Sequence, residues 1–546
     1  MRGATKAAPA QVARPAARPA PKRVVRAAAL PFPELVDLVV ERIGVPVDVY
    51  AVAATLESEG IRDLDARERF GSADVFDLAE DVYGAALQKV VETPVEPRPE
   101  LSVWSGLKRF GHFYARGVLF ALPIVLQLAT VILVQVREEF TDAKATAVML
   151  GSILSFCATG GFSQAIGRLG STYTSRSAFH LTRNVVLLVI AIGVVAALAM
   201  AGLWAAVAFT LHPFPDAVSL DALYYELLLS WLWLALSVLY MLERRVLVVG
   251  MVALWLGVFA AIIETGAGGV VLAQLSGYAA AAVVASAIGW RELRRLAART
   301  PASARTERLP RWPVLFVGTA PYFVYGLLYF GVLFGDRIVG WSADAPDGFL
   351  FYFRRPYELG LDWALVSLVL TVAALEYTIH ELGALIEPTQ RTFTGSRLRE
   401  HNRAFMAFYG RQVAMFLVVA GASGAFTWAI IAKANVVDGI PALHILVEND
   451  ETVRVFLVAV LAYGLLAFGL MNAVVLFFLS RPLAPILGLT AGLAATIAVG
   501  GAASRLHGSW MSSWGLLAAA AVFALVTMAA TLCVVRRMDY FYYAAY

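Results

Sequence analysis

The sequence predicts an all-α, polytopic membrane protein with about twelve transmembrane helices in two six-helix lobes, both termini on the inner side. Three observations predict it. First, 60% of the 546 residues are hydrophobic, only 15% are charged, and the mean hydropathy is +0.71, which leaves too little polar surface for a soluble chain of this size. Second, apolar runs long enough to cross a bilayer recur from Gly117 onward. Third, the loops expected on the inner side hold 20 Lys/Arg and those expected outside hold eight, which satisfies the positive-inside rule for an N-in, C-in topology.

Residues 1–33 carry seven Arg/Lys and no acid, and read as a disordered basic arm near anionic lipid. Pro9, Pro15, Pro19 and Pro21 argue against an amphipathic targeting helix there. The first 30 residues also lack an apolar run of the secretory kind, so insertion is expected to be directed by internal helices. Residues 34–92 read as a small helical cytoplasmic domain. "FPELVDLVVERIG" has helical apolar spacing, and two short amphipathic helices flank "FGSAD", where Ser72 or Asp74 would cap the second. A linker over 93–116 leads to the first six-helix lobe, 117–290. A basic cytoplasmic linker over 291–312 separates it from the second lobe, 313–536, and a cytoplasmic tail over 537–546 closes the chain.

The predicted spans are 117–136, 145–163, 184–209, 221–242, 246–265, 269–290, 313–335, 361–385, 412–433, 454–480, 483–500 and 514–535. The second is short and rich in Ser, Thr and Gly, and so the weakest of the set. No Lys or Arg falls in the interior of any of these spans. The lobes open alike, with "VLFALP" at 118–123 and "VLFVGTAP" at 314–321, which places helix-kinking Pro123 and Pro321 at matching positions. Both lobes start on the same side, so the repeat is parallel, about an axis along the membrane normal.

Motifs for ATP hydrolysis, dinucleotide binding, zinc peptidases and serine hydrolases are missing, and nothing calls for nucleic acid, a cofactor or a metal. Cys157 and Cys533 both lie in predicted spans, which fits neither a disulfide framework nor a zinc site. Acidic residues near the spans are the stronger lead, because an ionisable group at mid-membrane costs roughly 2.5–3.5 kcal/mol on insertion scales. Glu376 and His380, in "EYTIHE", are i,i+4 neighbours that could share a proton or couple an ion. The preferred reading of that segment, with Glu381, is a helix nearing the surface. Glu226 and Glu264 are expected at the interface. The glycines of "ATGGFSQAIG" and "GLTAG" read as helix-packing positions.

The loop expected after the seventh span combines Asp336, Arg337, Arg354, Arg355, Glu358 and Asp362 with Trp341, Phe351, Tyr352, Phe353, Tyr357 and Trp363. Such a mixture suits sugar rings, which stack on aromatics and bond to forked polar groups, and equally suits an interfacial amphipathic segment. A shorter outer loop, "REEFTD", holds Glu138, Glu139 and Asp142. It is a solvated turn or, in a membrane glycosyltransferase, a catalytic cluster.

The stretch from Tyr325 through Glu376 resembles the Pel-type exopolysaccharide exporters (PelG) of the multidrug/oligosaccharidyl-lipid/polysaccharide flippase superfamily. The family's Trp-x-Asp-Lys-like helix end corresponds to "FGDRIVGW", with Asp336 at the acid, Arg337 for lysine and Trp341 as the trailing aromatic. Its Ser-Pro-x-Tyr-Asp element corresponds to "RRPYELGLDW" through Pro356, Tyr357 and Glu358, and Glu376 falls near its third, acidic element. "GGFSQAIGR" matches an early segment through Gly161, Phe162, Gln164 and Arg168. Residues before 110 have no counterpart. The resemblance implies export or flipping of a polysaccharide or lipid-linked sugar across the cytoplasmic (inner) membrane by alternating access. Asp336, Arg337, Trp341, Tyr357 and Glu358 would then line the path or gate. Membrane lipids are expected partners, with other components of a polysaccharide synthesis complex docking through the N-terminal domain. The alternatives are a cation-coupled small-molecule exporter of the same superfamily and a membrane-embedded glycosyltransferase.

Overall fold

In an apolar solvent every backbone polar group must be satisfied within its own segment, so long apolar runs fold as helices. A computed structural model of the chain describes residues 30–43, 46, 48–92, 104, 106–118, 141–300, 309–343, 351–392, 398–434 and 449–543. Most of the basic arm, Pro123 with nearly all of the first predicted span, Glu138, Glu139 and part of the basic linker lie outside these residues. Among the described residues there is no strand.

A small N-terminal helical unit is distinct from the membrane unit. It contains α1 (Phe32–Ile43), α2 (Val49–Ser58), the short α3 (Asp63–Asp65) running into a π turn at Ala66–Phe70, and α4 (Val75–Glu92). Helical spacing brings Leu35, Val39, Val52, Leu56, Leu78 and Val82 into one core. The Asp48 side chain caps α2 by accepting from the Ala51 amide at 2.8 Å. Of the two residues proposed to cap α4, Asp74 does so, accepting from the amides of Phe76 and Asp77 at 2.9 Å each. The sequence pattern did not resolve α2, because "VYAVAATLES" is apolar on most of its circumference.

The membrane unit runs through helix α5 (106–118), α6 (Asp142–Ser175), α7 (Phe179–Leu211), α8 (Asp216–Met241), α9 (Arg245–Thr265) and α10 (Val270–Ala297). The second half holds α11 (Trp312–Trp341), α12 (Arg355–Val372), α13 (Leu375–Thr392), α14 (Leu398–Ala434) and α15 (Asp450–Phe478). It ends with α16 (Leu483–Ala495), α17 (Gly501–His507), α18 (Ser513–Arg536) and α19 (Met538–Tyr543). Eleven helices among the described residues are long and apolar enough to cross a membrane; α12 with α13 forms one, and α16 with α17 another.

Within the first half, hydropathy separates the outer helices from the inner ones, although in the second half α11, at 1.5, is only 22% buried. The most apolar windows, in α7 and α9, have mean hydropathies of 2.9 and 2.8 and only 28% of their residues buried, so they face lipid. Those of α6 and α8 are 1.5 and 1.6, and 67% buried. The second predicted span therefore looked weak because α6 faces protein. It is in fact 34 residues long. Its buried hydroxyls bond back to the helix, Ser152 to the Val148 carbonyl and Thr159 to the Ser155 carbonyl, each at 2.7 Å.

Helices α6 and α11 cross antiparallel and join the two halves. Leu169 lies in one cluster with Leu315, Phe162 meets Phe323 with ring centroids 4.9 Å apart, and Phe156 stacks on Phe330 at 4.6 Å. Glycines allow the approach. A Cβ at Gly326 would sit 2.6 Å from the Gly160 carbonyl oxygen, and one at Gly160 would sit 2.3 Å from the Phe330 ring. The packing role read for "ATGGFSQAIG" is thus what Gly160 and Gly161 perform. Gly492 of "GLTAG" similarly meets the backbone of Ala519 on α18.

Two of the boundaries that differ from the sequence reading bear on the placement of the site. Helix α11 passes unbroken through Pro321 and continues to Trp341, about one and a half turns beyond the predicted end at 335. The eighth span starts at Arg355 rather than 361, and is interrupted at Ala373–Ala374, where Gly117 of α5 lies so close that a Cβ would be 2.2 Å from the Ala373 carbonyl oxygen. Replacing Gly326 with leucine should separate α6 from α11 and lower the unfolding temperature in detergent by several degrees. Leu56→Ala should instead cost about 2–5 kcal/mol within the small unit alone, read by hydrogen exchange of α1, α2 and α4.

Candidate functional site

The extension of α11 carries Asp336 and Arg337 into the helix, and both are fully buried. This corrects two expectations: that the pair emerges at the outer surface, and that no Lys or Arg lies inside a span. It also corrects the loop expected beyond them, since Tyr357, Glu358, Asp362 and Trp363 belong to α12. The hydropathy window ended at 335 because Asp336 and Arg337 count as polar, whereas their charges are met inside the protein.

Arg337 and Trp341 lie one turn apart on α11, and Glu358 and Asp362 lie one turn apart on α12, so each pair shares a face. The Arg337 guanidinium donates from Nη1 to Glu358 Oε2 and from Nη2 to Asp362 Oδ1, the latter at 3.1 Å. Trp341 Nε1 donates to the other Glu358 oxygen at 2.8 Å. The Tyr357 hydroxyl donates to Asp336 Oδ2 at 2.6 Å, while Asp336 Oδ1 is buried without a hydrogen-bond partner. Tyr463 of α15 lies fully buried beside the guanidinium. All five residues expected to line the path or gate (Asp336, Arg337, Trp341, Tyr357 and Glu358) therefore meet in one buried cluster within the second half of the protein. Sequence reasoning placed Asp362 in the same segment but missed that it shares Arg337 with Glu358. The spacing Glu358-x-x-x-Asp362 was the available signal.

The charge count decides what the cluster can do. Among the described residues, three carboxyl groups, on Asp336, Glu358 and Asp362, face the one guanidinium of Arg337. Ionised together they would leave two negative charges uncompensated in a low-dielectric interior, which is far costlier than taking up protons or a cation. Arg337 also touches the first half of the protein, with Nη1 3.6 Å from Met149 Sδ on α6. The cluster thus borders the seam between the halves, where Phe156 is packed among Trp233, Phe330 and Phe334 at 4.8, 4.6 and 5.5 Å.

The other candidates lie elsewhere. Glu376 and His380 are not hydrogen-bonded to each other. Glu376 pairs with Arg245 at 3.1 Å, and the His380 ring stacks on Phe113 at 3.9 Å between centroids. Glu226, expected at the interface, is fully buried and accepts from Ser230 Oγ at 3.1 Å. The reason is that α8 begins at Asp216, so Glu226 lies about 15 Å inside it. Glu264 is exposed next to the end of α9, as an interfacial residue would be. Among the described residues no cluster of His, Cys, Asp and Glu is arranged to hold a metal ion.

No protein family and no curated protein matches the sequence. Solved structures do match. A Vibrio cholerae MATE transporter aligns over 80% of this chain and 98% of its own, with 14% identity and a TM-score of 0.54. The fold is similar to that of the MATE transporters of the MOP superfamily. An outward-facing multidrug resistance MATE transporter aligns over 79% of this chain and 96% of its own, at 12% identity and a TM-score of 0.55. A Pyrococcus furiosus MOP superfamily transporter, described by the reverse polarity of its binding pocket, covers the same shares at 12% identity and a TM-score of 0.52.

The buried cluster makes a sharp stability prediction. Arg337→Leu leaves buried carboxylates without their cation and should cost about 3–5 kcal/mol. Adding Glu358→Gln and Asp362→Asn to that variant should recover most of the loss in a thermal unfolding series. Arg337→Lys should recover little, because one ammonium cannot keep both contacts of the fork.

Proposed function

We propose that this protein is a secondary transporter of the cytoplasmic membrane in which two helical lobes alternate access to a central path, with protonation of the Asp336–Glu358–Asp362 cluster coupled to the movement. The observation that carries this reading is the single buried guanidinium facing three carboxyls beside the lobe seam. A charge imbalance there makes lobe packing depend on proton occupancy, and a transmembrane gradient can act on that occupancy. The similarity of fold to MATE transporters supports the alternating-access part.

The cargo proposed is a polysaccharide or lipid-linked sugar, on the resemblance of "FGDRIVGW" and "RRPYELGLDW" to Pel-type exporters. The small N-terminal unit would dock the other components of a synthesis complex. The fold similarity to a multidrug transporter favours a second reading, cation-coupled export of a small molecule, through the same charged cluster.

Reconstitution into proteoliposomes with an imposed pH gradient tests both. A fluorescent lipid-linked oligosaccharide should be translocated in the wild type, and Asp336→Asn should lower gradient-driven translocation tenfold or more. Transport of ethidium with no movement of the oligosaccharide selects the second reading. Full gradient dependence in Asp336→Asn, with either cargo, rejects the role of the cluster. Sugar transfer by the purified protein would replace both readings with a glycosyltransferase.

A further inference from the structure

The segment "EYTIHE" sits where the two lobes meet at one end of the molecule. This is the end that carries the basic turns at 243–245 and 291–299. Its two carboxylates are held by arginines from three separate elements. Glu376 pairs with Arg245, at the start of α9 in the first lobe, at 3.1 Å. Glu381 lies between Arg109 of α5 at 3.7 Å and Arg411 of α14 at 3.9 Å. Glu376 therefore reaches from the second lobe to the first, and Glu381 joins α14 to α5, the helix that leads into the first lobe. The intervening His380 packs its ring on Phe113, and Tyr377 meets Phe110 edge-on at 5.4 Å, so aromatic contacts flank the Arg109–Glu381 pair between α5 and α13.

A second ion pair spans the lobes at the opposite end, Asp142 of α6 with Arg355 of α12. The two pairs are unequal. Asp142 and Arg355 are 3.8 Å apart, with side chains 58% and 34% exposed. Arg245 and Glu376 are closer, and only 15% and 24% exposed. An ion pair withdrawn from water is screened less and binds more strongly than an exposed one, yet one near the surface can still part and be rehydrated. That combination suits a reversible latch and suits neither a permanent structural pair nor a mere surface contact.

We infer that Glu376 and Glu381 form an electrostatic latch that closes the basic end of the lobe seam, with Arg245 as the decisive partner. The inference rests on the alternating-access reading. It assigns Glu376 a gating role distinct from the charge cluster on α11 and α12. In the latched state both ends are bridged. Opening the basic end requires Arg245 to leave Glu376, and opening the other end does not.

Electron–electron distance measurements on the full-length protein in lipid nanodiscs test this. Spin labels at Ser175→Cys and Ser480→Cys report the basic end, and labels at Asp216→Cys and His507→Cys the opposite end, each on a background lacking Cys157 and Cys533. Glu376→Gln and Arg245→Gln should each raise the population with a long basic-end distance several-fold and leave the opposite end no wider. Exchanging the charges, Arg245→Glu with Glu376→Arg, should restore the original distribution. Unchanged basic-end distances in both single variants overturn the latch, and so does a charge exchange that behaves like the single variants. The conservative Glu376→Asp variant, expected to open the end less than Glu376→Gln, serves if a neutral variant fails to fold. If the distances respond but no cargo is ever translocated, the transport reading fails and the latch stands. If transport persists with unresponsive distances, only the latch fails.

Discussion

A guanidinium cannot sit in an apolar helical bundle without carboxylates around it, and the second half of this protein is arranged to supply them to Arg337. The requirement fixes the register of α11 against α12: Asp336 opposite Tyr357, Arg337 opposite Glu358 and Asp362, Trp341 returning to Glu358. It also explains why α12 enters the bundle as early as Arg355, since its first turns carry the required acids. Three carboxyls exceed what one cation neutralises. The arrangement is therefore a structural clamp that holds more acid groups than its cation can neutralise.

The clamp acts on the rest of the molecule through α11. That helix forms one wall of the charge cluster and, on another face, the contact with α6. Gly160 and Gly326 bring the two backbones together, and the Phe156 stack fills the space beside them. Arg337 itself touches Met149 across this contact. The cluster thus lies beside the contact between the two halves of the membrane unit, and the ion pairs at Asp142 and Glu376 join the halves elsewhere.

Much of this was legible in the sequence, and the failures have a common physical cause. The existence of the spans from α7 through α18 followed from hydropathy because lipid-facing residues must be apolar, but the end of α11 and the starts of α12 and α14 did not. Pattern matching singled out Asp336, Arg337, Trp341, Tyr357 and Glu358 as a group, and the fold brings them together. What hydropathy could not show was that polar residues at 336–337 continue a helix, because their partners are about twenty residues away in sequence and adjacent only after folding. The same blindness moved Glu226 to an interface it does not occupy and made the buried, Ser-rich α6 look weak. The preferred surface reading of "EYTIHE" was close for His380, which is exposed, but it could not reveal Arg245, 131 residues earlier, as the partner of Glu376.

The central claim is that the carboxyls around Arg337 hold a proton that the lobes sense. Infrared difference spectroscopy across a pH change, on the protein in lipid, measures it directly. The account predicts a band from a protonated, water-excluded carboxylic acid that titrates in the wild type and is lost or shifted in Asp336→Asn. An identical band in that variant and in Glu358→Gln and Asp362→Asn, or none in the wild type, would contradict it.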